Sequence, residues 1–528
     1  MLMEKGYLAL LLHAHLPYVR HTEHKDSLEE NWLYEAITDC YIPLLCLFDE
    51  LADQGINFRL TLSVTPTLAS MLADPFLQSR YVQKLKRSIQ LAGKEVRRTR
   101  SEPGINALAR LYRERFRRTY KAYVDRYERN LLQAFARLQR RGKIELIASA
   151  ATHGYLPLLS VTPASVRAQI RIGIETHRRF FNRNPRGFWL PECGYYPGVD
   201  KLLVEQGIRY TILETHGVTR GQSRPRYGVY APVYCPSGLA VFGRDPESSK
   251  LVWSATEGYP GDPEYREFYR DIGFDLDADY IGPYIHRDGI RIDTGMKYYR
   301  ITGRTENKEI YVPERAEKKA ELQASDFLER KGNQIRKLAS GMDRKPIVVA
   351  PYDAELFGHW WFEGPRWLAY VLRKAALEQD TLRFITPSEY LKKYSVNQVS
   401  IPCASSWGDK GYHQTWINES NHWIYRHLYG ADAVMQRMAK KHPRARGLTK
   451  RALNQAAREL LLAQASDWAF MITARTMSTY AEKRTRDHLL RFSRLAREIE
   501  EGTIDEKWLT EMEDCDNIFP QISYRSFN

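Results

Sequence analysis

The sequence predicts an α/β protein built on a parallel sheet, with an all-helical region at its C-terminal end. Short apolar runs alternate with helical stretches, and the first run is continuous rather than alternating, as in a strand buried on both faces. Beyond about residue 403 only helical periodicity remains.

Tyr7-Leu8-Ala9-Leu10-Leu11-Leu12 is the first strand, leading into His13, His15 and Pro17. His13 and His15 are two apart, so on a strand they point the same way. A helix follows over about residues 34–54, and residues 58–64 form the second strand, ending at Thr65-Pro66. Residues 80–141 read as helix broken near Pro103-Gly104. That is too long for a simple crossover, so residues 80–143 are expected to be an inserted helical subdomain. Residues 144–150 form the third strand, leading to Thr152-His153-Gly154, and Thr162 with Pro163 suits the N-cap and first position of the next helix. The fourth strand runs through Gly187-Phe188-Trp189-Leu190 to Pro191-Glu192-Cys193-Gly194-Tyr195. Pro191 cannot donate to a ladder and Gly194 tolerates unusual conformations, so the strand is expected to end with Glu192 at its carboxyl end.

Residues 210–214 are the fifth strand, ending at Thr215-His216. Residues 228–243 read as a Gly- and Pro-rich loop carrying Tyr230, Tyr234 and Phe242, and residues 250–253 as a sixth strand. Residues 346–350 lead to Pro351-Tyr352-Asp353-Ala354-Glu355, repeating the apolar-Pro-acid design of the fourth strand. A last short strand, 382–385, precedes a helix at Pro387. C-terminal helices are expected at about 419–440, 449–476 and 480–500. The chain thus divides into a catalytic α/β part, residues 1–403, and a helical part, residues 404–528.

At 528 residues the chain can bury a large core, and 43% hydrophobic with 27% charged residues suits a soluble globular protein. The aromatic share, with 33 Tyr and 11 Trp, suits both a packed core and a cleft that stacks sugar faces. The net charge of +15 raises nucleic acid as a partner. However, residues 80–143 hold 20 Lys and Arg against 5 Asp and Glu, and the remainder is neutral. The excess belongs to one segment without nucleic-acid module signatures, so a solvated helix face is expected there. Six cysteines form no CxxC pair, and no signal peptide or membrane-length run is evident. Cytoplasmic location is the default expectation.

Ligands collect at the carboxyl ends of strands in such folds. His13, His15, His153, Glu192, His216, Asp353 and Glu355 all lie at or just past such ends. Two chemistries fit. A metal-dependent hydrolase would use the paired His, another His and a late Asp as ligands, although an HxH pair alone is a weak signal. A retaining glycoside-active enzyme would use two carboxyl groups about 5–5.5 Å apart as nucleophile and acid, with histidines on the sugar hydroxyls and rings on the sugar faces.

Five stretches carry a family resemblance: His13-Ala14-His15-Leu16-Pro17; residues 147–157 with His153; Trp189-Leu190-Pro191-Glu192-Cys193-Gly194-Tyr195; Tyr352-Asp353 through His359-Trp360-Trp361; and Ala465-Ser466-Asp467-Trp468. In this order they are similar to the five motifs of glycoside hydrolase family 57, and the chain resembles its 1,4-α-glucan branching enzymes. Ala14 departs from the Gln of many members. The resemblance implies Glu192 as nucleophile and Asp353 as general acid/base. It also implies His13, His15 and His153 on the sugar, Asp467 reaching in from the helical part, and Trp407 and Trp416 on the acceptor side. Arg266, Tyr269 and Trp360 are further candidate substrate contacts, with Tyr269, Tyr234 and Phe242 all candidates for the family's remaining stacking aromatic. The implied fold is an incomplete seven-stranded (β/α) barrel with an inserted helical subdomain and a C-terminal all-helical domain. The implied partner is an α-glucan such as amylose, amylopectin or a glycogen-like polymer, with no cofactor, metal, nucleic acid or membrane.

Transfer and hydrolysis share the glycosyl-enzyme, and excluding water calls for an aromatic wall and a lid. Trp407 and Trp416 are the expected wall, and the loop with Tyr234 and Phe242 the expected lid. The alternatives are an α-amylase or 4-α-glucanotransferase of the same family, a metal-dependent hydrolase such as a deacetylase, and a non-catalytic glucan-binding protein.

Overall fold

The fold is described by a computed structural model over residues 4–24, 26–254 and 257–528. Among the described residues nine strands form one sheet: β1 (Gly6–Ala14), β2 (Leu60–Val64), β3 (Ile144–Ser149), β4 (Gly187–Trp189), β5 (Tyr210–Leu213), β6 (Val233–Tyr234), β7 (Ala240–Gly243), β8 (Ile347–Asp353) and β9 (Leu382–Phe384). Their order is β6-β7-β5-β4-β3-β2-β1-β8, with β9 also pairing with β1. Every pairing is parallel except β6 with β7. The parallel run from β7 to β8 therefore has seven strands. It curls toward closure, with Ile347 N–H donating to Tyr230 O (2.9 Å) and Asp245 N–H to Val349 O (2.8 Å) across the remaining gap. This is the incomplete barrel expected.

Strand alternation separates an inner from an outer core. Tyr7, Ala9 and Leu11 of β1, Ile347 and Val349 of β8, Trp189 of β4, Tyr210 and Ile212 of β5 and Phe242 of β7 pack together inside the barrel. Leu8, Leu10, Leu12, Val348, Ala350 and Tyr352 face the surrounding helices. Carried upward, the inner phase of β1 reaches His13 and His15, and that of β8 reaches Asp353 and Glu355.

The expected sixth strand at 250–253 is instead the end of a helix, Pro246–Trp253. Asp245 caps it by accepting the Ser248 N–H (2.9 Å), and Pro246 fills its first position. An apolar run of four residues does not distinguish strand from helix, and the cap decides. The sixth parallel strand is β7, within the stretch expected to be a lid. Phe242 is fully buried in the barrel interior, and Tyr234 pairs with β7 and bonds Gln398 O through its amide. Neither residue can swing as a lid.

The helix after β1 spans Glu30–Ala36 and Ile42–Asp53, joined by a π-helical turn, Ile37–Tyr41. The expected insert at 80–143 begins inside a helix, Pro75–Arg98, and goes on through the helices Pro103–Lys121 and Leu131–Arg140. They brace an irregular segment, with Lys94 Nζ bonding Tyr280 O (2.9 Å) and Tyr112 OH bonding Lys297 O (2.7 Å). Thr162 stands at the N-cap of the helix Pro163–Phe181, with Pro163 at its first position as expected, but its side chain makes no capping bond. Its hydroxyl bonds Asp432 Oδ2 (2.6 Å) on the C-terminal helix Trp423–Lys441, so it ties the two parts together instead. Further helices are Gly447–Ala463, Ser466–Ala474, Ser478–Glu501 and Glu506–Cys515. Among the described residues no helix is long and apolar enough to cross a membrane.

Candidate active site

The carboxyl ends of β1, β2, β3, β4 and β8 meet the start of the Ser466–Ala474 helix at the barrel mouth. His13 stacks on Trp189 (ring centroids 4.9 Å), which orients its two nitrogens. Nδ1 meets Ser63 Oγ (3.2 Å) and Nε2 meets His153 Nε2 (3.1 Å). His153 Nδ1 meets Ser466 Oγ (3.0 Å), and Ser466 donates to Glu192 Oε1 (3.0 Å). A carboxylate only accepts, so this chain has one polarity. Ser466 receives from His153 Nδ1–H, His153 Nε2 receives from His13 Nε2–H, and His13 Nδ1 receives from Ser63. Burial pushes both imidazoles well below their ordinary range, and the positive charge of His15 adds to this. Both rings are therefore neutral at neutral pH.

His15 behaves oppositely. Burial alone would lower its pKa, but the Asp467 carboxylate, 3.0 Å from Nε2, raises it above the ordinary value. Thr65 Oγ1 holds Nδ1 at 3.0 Å. The rings of His15 and His153 stack at 3.9 Å and 23°. Ligand atoms of His15, His153 and Asp467 lie within 4.8 Å of one another. Every ring nitrogen of the two histidines is already hydrogen-bonded, to Thr65, Asp467, His13 and Ser466, so a metal would have to displace these contacts.

Glu192 sits on a strained turn. Its backbone is left-handed (φ 60°, ψ 25°), as are those of Cys193 (φ 50°) and His153 (φ 56°). Each costs about 1–2 kcal/mol for a residue with a Cβ. Gly194, expected to take the unusual conformation, has an ordinary φ of −72°. It is small for a different reason, since a Cβ there would lie 2.6 Å from the Tyr155 ring. Trp407 holds the turn: its amide donates to Glu192 O (3.0 Å) and its indole Nε1 to Glu192 Oε2 (2.8 Å). Burial and the Asp467 charge raise the pKa of Glu192, while the Trp407 and Ser466 donors and His15 oppose the rise.

Asp353 lies opposite His13 in the β1–β8 register. No described residue donates a hydrogen bond to its carboxyl group. Burial, then the charges of Glu355 and Glu192, push it well above the carboxylate range, against His15 and Arg244. The site therefore presents one carboxyl group held by two donors and a second without one, whose pKa burial and two neighbouring acids raise, the contrast that pairs a nucleophile with an acid.

The remaining expected residues divide. Trp360 (56% exposed) stacks on Phe268 at 4.5 Å, and Phe268 meets Tyr269 (79% exposed), so these rings form an open terrace after the Asp353 strand. Trp416 is buried beneath the site and stacks on Tyr155 at 4.3 Å. It supports the loop that carries Trp407 and is not an acceptor wall. Arg266 is also buried, lying over Phe362 at 4.0 Å and bonding Tyr112 OH, so it does not reach substrate. His216 bonds Gly411 O (2.8 Å) and fixes the same Trp407 loop.

Ser466, Arg244 and Trp253 belong to the site and were not singled out from the sequence. Arg244 lies 5.7 Å from the Trp407 ring and pairs with Glu214 (2.8 Å), and Trp253 sets its edge 6.3 Å from Trp407. Ser466 stood beside Asp467 in the fifth motif, which was the one available signal.

The model of glycosyl hydrolase family 57 matches residues 9–402, and that of the 1,4-alpha-glucan branching enzyme C-terminal region matches residues 427–527. A 1,4-alpha-glucan branching enzyme of Thermococcus kodakarensis is 35% identical over 98% of this chain and 78% of its own. Among solved structures, a protein titled the novel alpha-amylase AmyC from Thermotoga maritima is 44% identical, with a TM-score of 0.93 over 99% of both chains. The family 57 branching enzyme of Pyrococcus horikoshii is 35% identical, with a TM-score of 0.89 over 99% of this chain and 97% of its own.

Proposed function

This chain belongs to glycosyl hydrolase family 57, and from that membership and its site we propose that it is a 1,4-α-glucan branching enzyme. The observation that carries the mechanism is the contrast between Glu192, bonded by Trp407 and Ser466, and Asp353, which accepts from no described residue and whose pKa burial and two nearby acids raise. Glu192 attacks the anomeric carbon as Asp353 gives its proton to the departing 4-oxygen. The new ester bond replaces the glycosidic bond, and the cut chain end leaves as an alcohol. Asp353, now a carboxylate, takes the proton of an incoming 6-hydroxyl. That oxygen bonds the anomeric carbon and Glu192 departs, so configuration is retained. The neutral His13–His153 chain has all four ring nitrogens engaged, so it holds Ser466 against Glu192 and does not itself offer atoms to the sugar. The Trp360–Tyr269 terrace and Trp253 beside Trp407 offer faces for glucose units. We assign the chain to storage-glucan synthesis in the cytoplasm, consistent with the branching-enzyme match at residues 427–527.

A second reading is α-amylase. It is favoured by the Thermotoga maritima structure at 44% identity, titled an alpha-amylase, and by the strand pairing of Tyr234 and the burial of Phe242 and Trp416, which remove the expected lid and half the wall. Incubation with amylose decides between them. Branching yields new α-1,6 anomeric proton signals by NMR with few new reducing ends, and Glu192→Gln abolishes both. Reducing ends without α-1,6 signals would overturn the proposal in favour of hydrolysis.

A further inference from the structure

We propose that Glu355 is a positioning residue for the reaction: gripped by Tyr41 and the His15 amide, it fixes a negative charge beside Asp353, so that the proton needed at the leaving oxygen stays on Asp353. The inference rests on the assignment of Asp353 as the acid.

Glu355 follows Asp353 by two, in a 3₁₀ turn, Ala354–Leu356, that begins where β8 ends. It is buried, and its Oε1 accepts from Tyr41 OH (2.5 Å) and from His15 N–H (3.1 Å). Tyr41 closes the π-helical turn Ile37–Tyr41. Such turns are rare and recur at functional sites. Here three successive residues of the turn grip the chain after the acid. Tyr41 holds Glu355, the Cys40 thiol donates to Ala354 O (2.8 Å), and Asp39 O lies against Gly358, where a Cβ would come within 1.8 Å. Gly358 also has φ 116°, so only glycine fits.

Hydrogen bonds to a charged form favour it. Glu355 has two donors and Asp353 has none, so of the two it is Glu355 that ionises. Its charge then opposes loss of the second proton from Asp353. The groups facing Asp353 are Glu355 and Glu192, which hold its proton on, and His15 and Arg244, which oppose them. Both cations are engaged elsewhere, His15 with Asp467 (3.0 Å) and Arg244 with Glu214 (2.8 Å). Burial raises the pKa of Glu355, and the Tyr41 hydroxyl, the His15 amide and the His15 charge oppose the rise; the other groups facing it are Asp353 and Cys40, whose thiol burial keeps neutral.

The test is a set of pH profiles of kcat/KM on amylose, alongside an α-maltooligosyl fluoride, whose leaving group needs no proton. Glu355→Gln keeps an oxygen for Tyr41 and the His15 amide but removes the charge. The alkaline limb on amylose should move down by about one unit or more, with KM unchanged and fluoride release retained. Tyr41→Phe should lower the plateau without moving the limb down. A Glu355→Gln profile that scales down in place, or falls equally on the fluoride, overturns the proposal. So does a wild-type alkaline limb in the ordinary carboxylate range, whatever the variants do. Asp353→Asn separates the two levels. If it retains amylose activity, the assignment of the acid fails. If it loses that activity but keeps a burst of fluoride, an unmoved Glu355→Gln limb sinks this inference alone.

Discussion

Trp407→Phe isolates one hydrogen bond at the proposed nucleophile. Phe retains the backbone N–H that bonds Glu192 O at 3.0 Å, so the strained turn stays held. It also fills most of the indole's volume. What disappears is the indole Nε1 donor, 2.8 Å from Glu192 Oε2. A hydrogen bond to a charged group contributes about 1.5–3 kcal/mol. At about 1.4 kcal/mol per pKa unit, its loss raises the pKa of Glu192 by about 1–2 units. Glu192 attacks as the anion, so the acid limb of kcat/KM should rise by that amount. The same donor stabilises the carboxylate as it departs from the glycosyl-enzyme. If that step limits turnover, kcat should fall about 10- to 150-fold. The assay is loss of the amylose–iodine complex between pH 4 and pH 8, with reducing ends counted in parallel. An acid limb that stays in place while activity falls evenly at every pH would refute the reasoning.

Asp467→Asn should destabilise the protein most at low pH. The folded-state pKa of His15 is raised, so its stabilisation is fully present below its unfolded value and is lost as pH rises through the folded one. Urea unfolding should show a loss of about 1–3 kcal/mol near pH 5.5 that shrinks by pH 9, and an equal loss at both pH values contradicts the pairing. Gly194→Ala would place a Cβ 2.6 Å from Tyr155 and 2.9 Å from Pro191 O. Tyr155 is pinned on Trp416 and cannot give way, so thermal unfolding should show a loss of about 1–3 kcal/mol together with lost activity. An unchanged Tm would show that the loop has room.

What could be read from the sequence was what strand periodicity carries. The phase of β1 brings His13 and His15 to the mouth, and that of β8 brings Asp353 and Glu355, because a strand's alternation persists past its last paired residue. The C-terminal helices near 419–440 and 480–500 were legible for the same kind of reason, whereas the single helix expected over 449–476 is two, Gly447–Ala463 and Ser466–Ala474, broken where Ser466 and Asp467 turn into the site. Two kinds of feature were not. Short apolar runs near a cap were ambiguous: 250–253 became helix because Asp245 caps it, and the strand lay at Ala240–Gly243. Side-chain destinations across long separations were also hidden. Trp407 and Trp416 look alike in sequence, yet one bonds Glu192 and the other lies buried under Tyr155. Arg266 looked like a substrate contact, but Tyr112 from the inserted helices and Phe362 enclose it.

These hidden contacts make two similar acids unlike. Glu192 and Asp353 both sit at barrel strand ends, and burial raises the pKa of both. Barrel strands alone would therefore leave two carboxyl groups competing to stay protonated, which suits neither attack nor orderly proton transfer. Trp407 and Ser466 remove the symmetry by donating to Glu192 alone, and both lie beyond residue 403. Asp467, next to Ser466, keeps His15 charged between the acids, and His15 works against both of their raised pKa values. On Asp353 the two nearby acids outweigh it, whereas on Glu192 it adds to the donors. On the proposed assignment the barrel supplies the acids, and the chain after it decides which one attacks. Mutations at the Trp407 and Ser466 contacts should therefore move the acid limb of the pH profile, while those around Glu355 move the alkaline one.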